Sequence, residues 1–440
     1  MKIVALNGLL GYGYSEEALK NAFRERVDYL GVDAGSTDPG PHYLGSGTSF
    51  TDRNAVKRDV ALALPLALKN KTQFIIGSAG GAGSRTHVEW LKEIIFEIAK
   101  EQKLSFKMAV LYTDVSASYM IEKFEDGKVR NMSEKFLLNK ENILGSSNIV
   151  SQIGADPIIR ALKSEVDVVL CGRCCDTAIY AAPCILNGCD KGLAFHMAKI
   201  MECGAMCSEP TAAADVMQAY IHEGYFELEP ANPTRRCTVE RVAAHTMYEQ
   251  SNPYLIFEPD GVCNLKNCQY EQVSERRVRV SGSQFTEAKQ KTLKIEGAKK
   301  SGYRTICIAG VKDAYTIARI DDIFQTVRSF LKEQVKDEEY VIQLRKYGGK
   351  PDLGVVLDVV AKTQALADSV CALARARMLH CDYEANEVTG KRKSTAGNLA
   401  MPFSPSDIHM GAVYEFSIFH LVEVEDFFET VKMEVLEIAE

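Results

Sequence analysis

TQFIIGSAGGAGSRTHVEWLKEIIFEIAKEQ, residues 72–102, runs from a short apolar segment through a glycine-rich turn into an amphipathic helix. QFII is aromatic and β-branched, as a buried strand requires. Beyond the turn, apolar residues recur three and four apart at Val88, Leu91, Ile95 and Ile98, the period of one helix face. Strand, turn and helix in that order make half of a parallel βαβ unit. The same unit recurs on either side. MKIVAL (1–6) precedes SEEALKNAFRER (15–26), VDYLGVD (27–33) precedes NAVKRDVALALPLAL (54–68), and FKMAVLY (106–112) and VDVVLCG (166–172) are two further apolar runs. Strands apolar on both faces predict an α/β fold in residues 1–222: a largely parallel sheet with helices on both faces.

The texture changes near residue 222. GYFELEP (224–230), PYLIFEPDGVCNLK (253–266) and ERRVRVSGS (275–283) read as extended, with one helix, TVERVAAHTMYEQ (238–250), among them. Residues 223–300 are thus expected to be a β-rich segment. Residues 301–440 are expected to be a smaller α+β domain. It would hold a strand at YRTICIAGV, long helices at IDDIFQTVRSFLKEQ and DLGVVLDVVAKTQALADSVCALARARMLH, and a closing strand–helix pair, AVYEFSIFHLVEV and EDFFETVKMEVLEIAE. KFEDGKVRNM (123–132) predicts a hairpin across Asp126-Gly127, and VTGKRKSTAGN (388–398) an exposed loop.

In an open parallel sheet the loops after the strands emerge at one edge, where ligands bind. Five such loops here are rich in glycine and polar groups: Asn7–Gly13, Asp33–Arg53, Gly77–Arg85, Thr113–Asp114 and Cys171–Thr177. Glycine lets backbone amides approach a ligand; the alternative is that these are ordinary tight turns. On the first reading Asp33, Asp38, His42 and Asp176 are candidates to move a proton. Arg173 and the amides of Gly80, Gly81 and Gly83 would hold a carboxylate, and Ser36, Ser46, Thr48, Arg53, Ser78, Thr113 and Thr177 would line the site. An internal Arg173–Asp176 ion pair is the competing reading. GLLGYG (8–13) lacks the dinucleotide pattern and GSAGGAGS lacks the Gly-Lys ending of a P-loop, which disfavours nicotinamide and ATP chemistry.

The 440 residues are 46% hydrophobic and 25% charged, with a formal net charge of −7, so nucleic acid is not an expected partner. The longest apolar stretch, ALALPLAL (61–68), falls far short of the ~18 residues of a membrane span. Thirteen cysteines without a signal peptide predict free thiols and a cytoplasmic location. Seven of them lie between Cys171 and Cys207. No cofactor is expected, and a zinc or iron–sulfur site there is the minor alternative to small buried hydrophobes.

Residues 145–206 carry a denser signal. Gln152-Ile-Gly154-Ala155-Asp156-Pro157 is followed by a strand and by Gly172-Arg173-x-x-Asp176-Thr177-Ala178. Then come Pro183, Gly188, Gly-Leu-Ala-x-His at 192–196 and Glu202-Cys203-Gly204-Ala205. This run resembles the acyclic terpene utilisation (AtuA-like) family. The likeness thins toward the N-terminus, departs at GLLGYG and at the two cysteines between Arg173 and Asp176, and is unsupported beyond about residue 300. The resemblance implies catabolism of branched acyclic acids through acyl-CoA thioesters, and it adds His196 as a catalytic candidate and Glu202 as a substrate-binding one. The expected function is a lyase (hydratase) or isomerase acting on a small branched or hydroxylated carboxylate or its thioester. A homo-oligomer and a small companion protein are the expected partners. The alternative is a non-catalytic binding or scaffold subunit.

Overall fold

A computed structural model describes residues 1–439 except 135–136, 212–213, 250, 337 and 387. The chain divides into two compact units, residues 1–299 with 416–440, and residues 300–415.

Unit 1 is built on the strand–helix alternation. In chain order it has β1 (Lys2–Ala5), α1 (Glu16–Ala22), β2 (Tyr29–Asp33), α2 (Pro41–Ser46), α3 (Arg53–Lys69), β3 (Gln73–Gly77), α4 (Arg85–Gln102) and β4 (Phe106–Tyr112). There follow α5 (Ala117–Glu125), β5 (Val129–Asn131), α6 (Lys140–Leu144), β6 (Ser146–Gln152), α7 (Ala155–Leu162), β7 (Val168–Cys171), α8 (Ala178–Leu186) and α9 (Lys191–Met201). Next come β8 (Ser208–Glu209), β9 (Met217–Ile221), β10 (Tyr225–Pro230), β11 (Arg236–Cys237) and α10 (Val239–Thr246).

The central sheet has the order 269–272, 278–281, β10, β9, β1, β2, β3, β7, β4, 432–438. β1, β2, β3, β7 and β4 pair in parallel, as the apolar runs predict. The flanks do not: β9 on β1, the strands beyond it, and Lys432–Ile438 on β4 are all antiparallel. The sheet is therefore mixed, with a parallel core, rather than largely parallel.

Side chains alternate across the core strands and fill two separate layers. Val4, Leu30, Val32, Phe74, Ile76, Val110 and Leu170 pack under α1, α3 and α4. Ile3, Ala5, Ile75, Leu111, Val169 and Cys171 pack under α7, α8 and α9. The chain advances from β1 to β4 and then steps back to insert β7 between β3 and β4. Right-handed crossovers place helices on the opposite face once the direction reverses, so both faces are covered as expected.

Unit 2 has antiparallel strands at residues 340–348 and 353–361, and 353–361 also pairs with residues 303–311. Helices Ile320–Gln334 and Gln364–Leu379 supply the core beside them.

Four local expectations are corrected. The single helix expected over 352–380 is a strand, Leu353–Ala361, then a helix capped by Thr363, whose Oγ1 accepts from the Leu366 amide at 3.2 Å. Leu353, Val355, Leu357 and Val359 are buried alternately, a period of two that the apolar run disguised. The terminal helix is instead a strand, Lys432–Ile438, because β4 offers it an open edge and pairing overrides its helix-forming composition. Asp126-Gly127 does not turn a hairpin: Gly127, at φ 69°, ends α5, and β5 pairs with His420–Val422. Within 388–398, Lys391–Ser394 is a strand paired with Asp382–Asn386. Gln250 and Glu440, at the ends of two expected helices, lie outside the described residues. No helix among the described residues is long and apolar enough to cross a membrane.

Gly83 shows how tightly the rim loops meet. Its φ is 66°, and a Cβ there would lie 2.1 Å from the Arg173 amide nitrogen. Gly83→Ala is expected to cost about 2–4 kcal/mol from backbone overlap and left-handed strain. Gly349→Ala, with open space around it, should stay within about 0.5 kcal/mol. Urea denaturation of the two variants checks this.

Candidate functional site

A cavity of about 280 Å³ opens at the carboxyl ends of the parallel strands. The β1 loop contributes Gly8, Leu9 and Tyr12, and the β2 loop contributes Asp33, Gly35, Ser36, Asp38, Pro39 and Phe50. Asp176 comes from the turn after β7, Glu202, Cys203 and Met206 from the end of α9, and Tyr248 and Glu249 from beyond α10. Larger clefts of about 670 and 850 Å³ lie at the amino ends of the strands and one of about 1140 Å³ lies beside β8 and β11; none shares a lining residue with this cavity.

Three of the lining carboxyls hold protons more tightly than carboxyls in water. Asp33 ends β2 and is buried; Oδ2 accepts the Gly35 amide at 3.0 Å, and Oδ1 is buried without a hydrogen bond. Burial, then the neighbouring Asp176, push its pKa well above the usual range. Burial also raises Asp176, against the pull of Arg173, whose Nη1 is 3.4 Å away. Glu202 is paired with Lys199, one helical turn back on α9, yet burial pushes it up to about 8. Lys199 is raised in turn, because Glu202 outweighs the burial that would lower it. Behind them, half-buried Glu258 accepts Thr177 Oγ1 at 2.7 Å and is likewise pushed up to about 8 by burial.

Arg173 does not line the cavity. It is buried, and its guanidinium donates to Glu296 (3.1 Å), Ser78 Oγ (3.2 Å) and the Cys174 carbonyl (2.8 Å). Its own amide donates to Thr113 Oγ1 at 2.8 Å. Glu296 also accepts from Thr37 Oγ1 and Lys294, each at 2.7 Å. Burial would raise the Glu296 pKa, but Arg173 and Lys294 outweigh it and hold it at about 2. Arg173, Ser78, Thr113 and Thr177 thus hold the loops that present Asp33 and Asp176.

The glycine-rich turn after β3 is spent internally. The Ala79, Gly81 and Gly83 amides donate to the carbonyls of Cys171, Ser78 and Ala79. Gly80 meets His87 and Gly81 meets Gly35, so the glycines permit close approach. In the first loop, Gly11 and Gly13 donate to buried Asp59 at 2.8 and 3.1 Å. Phe50 apart, the second half of the β2 loop does not line the cavity. His42 is exposed with its ring against Tyr43, Ser46 and Thr48 share a hydroxyl hydrogen bond at 2.7 Å, and Arg53 bridges to Glu97. His196 is elsewhere too. It is buried between Ser283 Oγ (2.8 Å) and Thr246 Oγ1 (3.0 Å), and burial lowers its pKa to about 3.

Among the candidates, then, Asp33, Ser36, Asp38, Asp176 and Glu202 converge on the cavity. Sequence reasoning missed Lys199, Glu258 and Glu296, and the apolar wall of Leu9, Phe50, Met206 and Tyr248. The three-residue spacing of Lys199 and Glu202 on a helix was a usable signal, whereas nothing local marks Glu296. The cysteines of residues 171–207 are free thiols, most of them buried. Among the described residues no group of three or more His, Cys, Asp or Glu is placed to hold a metal ion.

The model of a family described as acyclic terpene utilisation family protein AtuA matches residues 52–402. It takes in Arg173, Asp176, Glu202 and Glu296, and leaves out Asp33 and Asp38. No curated protein and no solved structure matches the chain.

Removing one partner of a buried ion pair strands the other, so Glu296→Gln is expected to cost about 3–5 kcal/mol at neutral pH. Folded Glu296 binds its proton less tightly than the unfolded chain does. Its contribution is therefore full above the ordinary glutamate range and is lost as pH falls toward about 2. The gap between wild type and variant in urea melts should accordingly close with acidification.

Proposed function

The chain belongs to the acyclic terpene utilisation family, and we propose that it is an enzyme of acyclic terpene catabolism that adds or removes water, or moves a double bond, on a branched acyl group. The observation that carries this reading is the convergence of Asp33, Asp176 and Glu202, from three separate elements, on one small cavity. Groups that keep a proton near neutral pH and sit in a cleft are suited to general acid–base work.

The same cluster bears on the form of the substrate. A free carboxylate entering this floor would add a negative charge beside carboxyls whose ionisation burial already opposes, while Arg173 is committed to Glu296. A thioester presents a neutral carbonyl and avoids that conflict. Leu9, Tyr12, Pro39, Phe50, Met206 and Tyr248 offer a largely apolar wall for a branched chain. The volume lies at the low end of ligand pockets, about 300–1,000 Å³, which suits the acyl portion alone.

In this mechanism a protonated carboxyl, Glu202 or Asp33, delivers a proton to one end of the double bond or to the leaving hydroxyl. Asp176, which Arg173 at 3.4 Å pulls toward its ionised form, takes the proton from water or from the carbon next to the carbonyl. One such group is worth about 10²–10⁴ in rate.

The test is incubation with branched enoyl- and hydroxyacyl-CoA thioesters, and with the free acids, in deuterated water. Solvent deuterium should enter the thioesters. Asp176→Asn and Glu202→Gln should each lower turnover by about 10²–10⁴. With Glu202 as the acid, kcat/KM should fall as pH rises through about 8, and Glu202→Gln should remove that limb. No exchange with any thioester, or both variants within a few fold of wild type, would overturn the proposal.

A further inference from the structure

Three pairs of cysteines lie close enough to shift one another's proton affinity: Cys171 with Cys174, Cys207 with Cys237, and Cys184 with Cys189. Both members of the first two pairs are fully buried, and in the third Cys184 is buried while Cys189 is half-exposed. Cys189 lines a cleft of about 850 Å³ at the amino ends of β2 and β3, the opposite edge of the sheet from the candidate cavity.

The pairing follows from how α8 ends. Asn187 is its C-cap and Gly188 follows at φ 78°. The Cys189 amide donates to the Cys184 carbonyl and the Gly188 amide to the Ile185 carbonyl, both at 3.0 Å. These two bonds define a Schellman motif, whose geometry brings the residue after the glycine against the side chain five positions earlier. That contact is usually between two hydrophobes, and here both partners are cysteines.

We propose that Cys184 and Cys189 form a peroxide-reactive dithiol, with Cys189 attacking the oxidant and Cys184 resolving it. The Cys189 sulfur attacks the O–O bond of a peroxide, forming a sulfenic acid and releasing hydroxide or alkoxide, which takes up the thiol proton. The Cys184 sulfur then attacks the sulfenic sulfur. The S–S bond forms, water leaves, and the two thiols have given up the two electrons that reduce the peroxide. Cys189 also differs from the other half-buried cysteines. Proximity to Cys184, whose own thiol donates to the Tyr180 carbonyl at 3.3 Å, lowers its pKa to about 7 against the burial that raises it, whereas burial raises Cys175, Cys203 and Cys268.

The test exposes the whole chain to equimolar hydrogen peroxide, blocks remaining thiols with iodoacetamide, and maps peptides by mass spectrometry. The expected result is loss of two hydrogens per chain, recovered as a Cys184–Cys189 disulfide. Cys189→Ser should abolish that loss, and Cys184→Ser should leave a dimedone-trappable sulfenic acid at Cys189. In the unmodified protein at pH 7, iodoacetamide should label Cys189 about tenfold faster than Cys175, Cys203 or Cys268, a readout that does not depend on how a variant folds. Oxidation spread evenly over the half-buried cysteines, or labelling of Cys189 no faster than theirs, overturns the proposal.

Discussion

The guanidinium of Arg173 has been taken out of water into the interior of unit 1, which is tolerable only where its donors are answered. Glu296 supplies the opposing charge at Nε, and Ser78 Oγ, the Cys174 carbonyl and Asp176 accept from Nη1. With Thr37 on Glu296 and Thr113 on the Arg173 amide, this one pair joins the loops after β2, β3, β4 and β7. Loops that could each move freely are thereby held in register to within hydrogen-bonding distance. The first loop is fastened separately, by Asp59 of α3 gripping two glycine amides.

This arrangement also decides which carboxyls are ionised. Glu296 sits directly on Arg173 with Lys294 in support, and it surrenders its proton readily. Asp176 shares the same cation at longer range, and in both Asp176 and Asp33 burial outweighs the pull of Arg173. The gradient from the tie to the cavity is one of diminishing access to positive charge. A site with several carboxyls can hold different proton occupancies side by side only where such a gradient exists.

Much of this architecture was legible in the amino-acid order. The five parallel strands declare themselves as short apolar runs ended by polar turns, and the glycine and aspartate at their ends mark the edge where the cavity lies. Asp33 and Asp176 could be singled out because they lie at or just beyond strand ends, and Glu202 entered through the family resemblance of residues 145–206. What the residues at positions 80, 81 and 83 do could not be told from their identity. Glycine serves anion cradling and close packing equally well, and only the approach of the Arg173 backbone decides between them. Glu296 was illegible for a related reason, since its partner lies 123 positions away. The antiparallel flanks and the terminal strand were missed because edge pairing depends on what the neighbouring strand leaves open, which no local pattern records.

The residues that fasten the rim and those that shape its hollow are largely different sets. Arg173, Glu296, Thr37, Ser78, Thr113 and Asp59 do the fastening, whereas Leu9, Tyr12, Pro39, Phe50 and Tyr248 only face the hollow. A lineage can therefore exchange the second set, altering the size and greasiness of what is admitted, without loosening the first. Drift in ligand preference carries little risk to folding here, and close relatives can share one frame while differing in what they accept.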